Sequence, residues 1–98
     1  MPLSAKQIRF LRSQAHHLKP VVMVGQNGLK NTIFDELEIA LDSHELIKVK
    51  IAADKQERTE ITAELVKQSR AELVQSIGQM AILFRRNPEK PRIALPSQ

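Results

Sequence analysis

Two strand-like runs separated by one helical stretch lie between residues 21 and 51, and few folds accept that order. Val21–Val24 is a short, β-branched apolar run that reads as a buried strand, and Gly25-Gln26-Asn27-Gly28 breaks it. Ile33, Leu37, Ala40 and Leu41 then recur at helical spacing, and in Leu46–Ile51 the apolar Ile47, Val49 and Ile51 alternate with Lys48 and Lys50. A short apolar run, then a period of 3.6, then a period of two is the pattern of a β-α-β unit. Such a unit joins neighbouring parallel strands through a right-handed crossover. The helix is expected from Ile33 to about His44, capped by Asn31 or Thr32, with Asp35, Glu38 and Asp42 on its exposed arc.

The flanking segments extend this unit. Ser4 and Gln7 have the spacing of a capping box, and Leu3 with Ile8 that of a hydrophobic staple. Ile8, Leu11, Ala15 and Leu18 share one helical face, so a first helix is expected from about Ala5 to Leu18, ended by Pro20. Its opposite arc carries Lys6, Arg9, Arg12 and His16. Residues 52–56 read as a loop and residues 57–71 as a third helix with Ile61, Leu65 and Val66 inward. Leu73–Ile77 and Met80–Phe84 read as strands joined by Gly78-Gln79, the two-residue connection of a type II′ hairpin. The expected class is α/β, a two-layer α+β arrangement in the order α-β-α-β-α-β-β with a mixed four-stranded sheet.

At 98 residues the chain is expected to form one domain, residues 1–98, of which 85–98 make an extended, Pro-rich, basic and mobile tail that the core does not need. Ile93 and Leu95 are the tail residues that could lie against the body. There is no cysteine, so disulfides, thiolate metal sites and a cysteine nucleophile are excluded together. No apolar run nears the roughly 18 residues of a membrane span, and MPLSAKQIRF lacks the apolar stretch of a secretory signal. A cytoplasmic location with no membrane partner is the expectation.

The net charge of +4 hides a segregation. Residues 1–34 hold Lys6, Arg9, Arg12, Lys19 and Lys30 and no acid, whereas residues 35–45 hold Asp35, Glu36, Glu38, Asp42 and Glu45 and no lysine or arginine. Singly, such residues are ordinary surface charge. Segregated, they imply a basic face suited to a polyphosphate and an acidic face apart from it.

The sharpest local motif is Gly25-Gln26-Asn27-Gly28 between a strand and a helix. Two glycines three apart let backbone amides approach a ligand closely, and the helix start that follows favours an anion. Lys19 and Lys30 are expected to flank the loop with charge. A plain turn would also use glycines, but it would need neither the lysines nor the basic helix. The spacing is neither that of a Walker loop nor the dinucleotide fingerprint. His16 and His17, adjacent on a helix, cannot chelate one metal as an i, i+4 pair would, and His44 suits a helix C-terminus. With no carboxylate or serine placed to complete a site, neither catalysis, a metal, a cofactor nor a small-molecule substrate is expected. The only aromatics are Phe10, Phe34 and Phe84, few enough to be used in packing, so recognition should rest on backbone, phosphate and shape.

Leu18-Lys19-Pro20-Val21-Val22 leading into Val24-Gly25-Gln26-Asn27-Gly28-Leu29, then a helix, then His44-Glu45-Leu46-Ile47-Lys48-Val49-Lys50-Ile51, resembles the CRM domain (chloroplast RNA splicing and ribosome maturation). More narrowly it is similar to the stand-alone bacterial YhbY-type proteins, over nearly the whole chain. The resemblance implies a mixed four-stranded sheet with three helices, like the C-terminal domain of translation initiation factor three. It implies a KH-like GxxG loop contacting RNA, here Gly25, Gln26, Asn27 and Gly28, and association with precursor large-subunit ribosomal RNA. The expected function is that of a monomeric, non-catalytic RNA-binding assembly factor, with Lys6, Arg9, Arg12, Lys19 and Lys30 holding phosphates. The alternatives are a double-stranded DNA or nucleoid protein and a protein–protein adaptor using the acidic helix.

Overall fold

The computed structural model describes residues 2–25 and 28–97, and Gln26 and Asn27 lie outside the described residues. The elements are α1 (Ala5–Ala15), β1 (Pro20–Val24), α2 (Asn31–His44), β2 (Leu46–Ile51), α3 (Lys55–Ser69), β3 (Glu72–Ile77) and β4 (Met80–Phe84). They follow the expected order. The strands form one sheet in the order β1-β2-β4-β3, with β1 parallel to β2 and the other pairs antiparallel. The α/β class, the three helices and the mixed sheet are as anticipated.

The helices, however, divide between the two faces, so the layers number three rather than two. Val22, Val24, Ile47, Val49, Ile51, Ala81 and Leu83 point to one side and pack with Leu37 and Leu41 of α2 and Leu65 of α3. Their sequence neighbours Leu46, Ile82 and Phe84 point to the other side and pack with Leu11 and Ala15 of α1. Strand alternation makes these opposite faces.

Local chemistry explains most element boundaries. The Ser4–Gln7 capping box forms in both directions, at 3.1 Å each way. Leu3 and Ile8 both pack into the α1 cluster, as a staple would place them. α1 stops at Ala15, short of the expected Leu18, and Leu18 is 36% exposed. α2 begins at Asn31 with Lys30 as its cap residue, so neither Asn31 nor Thr32 caps it, and among the described residues no side chain bonds its first amides. α3 starts at Lys55, because Asp54 accepts the Glu57 N–H at 2.9 Å and so turns part of the expected loop into helix. It ends at Ser69, where Arg70 takes the left-handed conformation. At the hairpin Gly78 has φ +54 and Gln79 is not among the positive-φ residues, the sign pattern of a II′ turn.

Two expectations of burial fail. β1 is an edge strand whose Val21 and Met23 are exposed, because only β2 flanks it and α1 does not extend over it. The tail does not hang free. Ile93 and Leu95 pack into the α1 cluster, and Gln7 Nε2 donates to the Pro96 carbonyl at 3.0 Å.

Candidate nucleic-acid interface

The GxxG motif sits where β1 ends. Gly28 N–H donates to the Gly25 carbonyl at 3.1 Å, closing a turn, and Gly28 has φ +74, which a side-chain-bearing residue adopts only with strain. Gly25 differs. Its φ is not positive, and a Cβ added there would meet nothing within 4 Å among the described residues, so neither its φ nor their packing asks for glycine at this position. Lys30, exposed and two residues past the loop, precedes helix amides that no side chain caps.

The loop shares an edge of the sheet with two other turns. Ala52 N–H donates to the Val24 carbonyl at 2.9 Å, and Ile51 N–H to the Gln79 carbonyl at 2.8 Å. The ends of β1 and β2 and the tip of the β3–β4 hairpin therefore lie side by side.

The predicted cations do not all join the loop. Lys19 precedes β1, whereas the loop follows it, so a strand of five residues, about 16 Å of extended chain, separates them. Lys19 instead lines a shallow apolar depression with Leu18, Val21 and Ile93. Lys6, Arg9 and Arg12 are exposed along α1. Arg9, Arg12 and His16 border an open groove against Gln75 and Ile77 of β3. The site residues thus fall into two groups, the loop with Lys30 and the α1 arc, while Lys19 stands apart from the loop.

The acidic residues are not the free patch their spacing suggests. Arg85, first residue of the tail, pairs through its guanidinium with Glu38 and with Asp42, the latter at 2.8 Å, and also donates to the Ser69 carbonyl at 3.0 Å. Glu45 is completely buried. Its Oε1 accepts the N–H groups of Arg92 at 2.7 Å and Ile93 at 2.9 Å, and its Oε2 accepts that of Asn87 at 2.6 Å. Burial alone would push this carboxyl up. The three amides, with Arg86 nearby, outweigh burial and hold it below the ordinary glutamate value. Sequence reasoning missed this residue, since one acid at the end of an acidic run carries no local sign of burial.

Among the described residues, no three His, Cys, Asp or Glu side chains group as a metal site would need. The rings of His16 and His17 meet edge to face, with centroids 5.4 Å apart, and both residues are exposed. No described helix is long and apolar enough to cross a membrane.

Comparison with known proteins agrees with this architecture. A protein named as a probable RNA-binding protein in Pseudomonas aeruginosa is 50% identical over 90 residues, covering 91% of this chain and 86% of its own. An RNA-binding protein of Haemophilus influenzae is 47% identical over 95 residues, covering 96% and 95%. The solution structure of a hypothetical Staphylococcus aureus protein, described there as a candidate for RNA binding, superposes with a TM-score of 0.83 at 34% identity, covering 97% of this chain and all of that one. The sequence profile of the CRS1/YhbY (CRM) domain matches residues 3–85, from just before the α1 cap to the end of the sheet. With the profile match and these relatives in agreement, the chain belongs to the CRS1/YhbY (CRM) domain family.

Proposed function

We propose that this chain is a monomeric, non-catalytic, cytoplasmic RNA-binding protein, one domain spanning residues 1–98, that associates with precursor large-subunit ribosomal RNA and assists its maturation. The observation that carries this reading is the exposed basic arc of α1, Lys6, Arg9 and Arg12, in a chain whose relatives are named for RNA binding. Among the described residues the only ion pairs are those of Arg85, which leaves the charge of this arc available to phosphate. The loop supplies a second element. Gly25, for which the fold gives no reason, suits close approach of a phosphate or ribose, with Lys30 and the uncapped start of α2 beside it. Lys19, remote from the loop, serves as a peripheral phosphate contact.

Pairing of Glu38 and Asp42 with Arg85 weakens the acidic-helix adaptor reading, because one guanidinium engages two of its carboxylates and offsets one unit of its charge within the chain. The test is affinity for a structured RNA and for duplex DNA of equal length across salt concentration. Five phosphate contacts on a single-stranded or irregular RNA predict a log–log slope of roughly −3.5, at about 0.7 per contact. A flat salt dependence, or equal affinity for both polymers, overturns the reading. Co-sedimentation of the tagged protein with large-subunit precursors tests the ribosomal target.

A further inference from the structure

α1 covers only one end of its face of the sheet. The strand register gives the rest of that face as rows. Leu46, Phe84 and Glu72 are aligned across β2, β4 and β3 at the covered end. Next come Lys48, Ile82 and Gln75, with Pro20 aligned on β1, and last a row crossing all four strands, Met23–Lys50–Met80–Ile77. Met23 and Ile77 are 60% and 57% exposed, and Lys50 and Met80 are half-buried. Among the described residues, α1 borders this last row at Ile77, across an open groove, and leaves Met23 open at the other end. Its composition is unusual for a solvated sheet face: three apolar side chains around one lysine, with a second lysine in the row behind and no carboxylate in either.

Its position matters as much. On one side stands the basic arc of α1, where Arg9, Arg12 and His16 face Ile77 and Gln75 across the groove. On the other side lies the sheet edge that carries Gly25, Gly28 and the Gly78-Gln79 turn. The two cationic elements of the proposed function are therefore joined by an apolar floor.

We infer that the row Met23–Lys50–Met80–Ile77 is a docking floor for unpaired nucleotides, over which a single strand passes from the loop to α1. The inference rests on the RNA-binding reading above and adds to it where the bases go. Phosphates meet Lys48, Lys50 and Arg12, while base faces lie on the methionine and isoleucine side chains. Thioether sulfur contacts aromatic rings favourably, and the flexible Met side chain adapts to any base, so contact here is tolerant of sequence. Charge selects the occupant: a face holding only lysines and apolar groups, flanked by arginines, complements a polyanion with flat apolar faces. A fully paired helix keeps its base faces stacked inside and cannot use such a floor.

The test compares the double variant Met23→Ser, Ile77→Ser with the unaltered chain on two probes, an unstructured oligouridine and a fully paired RNA hairpin of equal charge. Both positions are mostly exposed, so the fold should persist, and thermal melts check it. The expected result is about five- to tenfold weaker binding to the single strand, from the lost apolar burial, with the hairpin affinity and the salt slope unchanged. In a second variant, Lys50→Gln, the slope on the single strand should fall by about 0.7. Unchanged single-strand affinity, or equal losses on both probes, overturns the floor while leaving RNA binding standing. Failure of the unaltered chain to bind either probe overturns both readings. Self-association that the double variant abolishes, without effect on RNA, makes the row a contact between copies and overturns the inference.

Discussion

Glu45 accepts the backbone N–H of Ile93 at 2.9 Å, so a carboxylate at the C-terminal end of α2 holds a residue 48 positions further along the chain. The same carboxylate binds the N–H groups of Asn87 and Arg92, and its own residue takes φ +62, sparsely populated for anything but glycine. Such a conformation persists only where surrounding contacts over-determine it. Here three charge-assisted bonds do so, and they tie the tail to the junction of α2 and β2.

Glu45→Gln tests that knot. The amide side chain keeps one acceptor oxygen and turns a donor towards the Asn87 N–H or towards the Arg92 and Ile93 pair. A buried donor without an acceptor costs about 1–3 kcal/mol, and hydrogen bonds to a charged group are worth about 1.5–3 kcal/mol. Urea unfolding should show roughly 2–4 kcal/mol lost, and a change below about 0.5 kcal/mol would mean that the tail contacts contribute little.

The same group predicts an acid limb in stability. The folded-state pKa of Glu45 lies below its ordinary value of 4.5, so the unfolded chain binds its proton first as pH falls. Its contribution is fully present above about 4.5 and is lost as pH drops through the lowered folded value. Unfolding free energies between about pH 3 and 6 should fall more steeply in the unaltered chain than in Glu45→Gln. Parallel curves would assign the acid sensitivity to other carboxylates.

Truncation after Pro88 is expected to destabilise the fold. It removes two of the three amides on Glu45, the Ile93 and Leu95 packing, and the Pro96 carbonyl that accepts from the buried Gln7. A loss of a few kcal/mol in a chain of this size lowers Tm by on the order of 10 °C or more. Differential scanning calorimetry of the shortened chain reads this directly, and an unchanged Tm would show the tail to be dispensable.

The β-α-β unit was legible because a local window detects its signals, an apolar run at 21–24 and two periods after it: Ile47, Val49 and Ile51 are buried as alternation requires, and Leu37, Ala40 and Leu41 as helical spacing requires. What was not legible depends on partners distant in sequence. Glu45 belongs by composition to an acidic run, and only the returning tail buries it. Lys19 and Gly25 are six positions apart, close along the chain, but the extended backbone between them holds them at opposite ends of β1. Val21 and Met23 read as core until the strand order leaves β1 at an edge, beyond the reach of α1. The open floor follows from that same placement, and no window of the sequence contains it.

The remaining prediction separates a seat in the loop from charge around it. Gln26→Asp with Asn27→Asp retains both glycines, so the turn closed between Gly25 and Gly28 should survive and melts should change little. Net charge falls by two, within the Gly25–Gly28 motif that precedes α2 in the chain, where a phosphate is proposed to bind. The matched control is Lys67→Glu, which also removes two units of charge, from an exposed position in the last turn of α3. Gln75 would be a poor control, because it borders the groove shared with Arg12 and Ile77. If the loop seats a phosphate, repulsion in a confined site exceeds the long-range effect of the same charge elsewhere, because the latter is screened over about 8–10 Å. The loop variant should then lose at least tenfold in RNA affinity at physiological salt, about 1.4 kcal/mol, against a loss of about twofold for Lys67→Glu. Equal losses in the two variants would reduce the motif to a turn and leave RNA held by the charge of α1 and the lysines of the sheet.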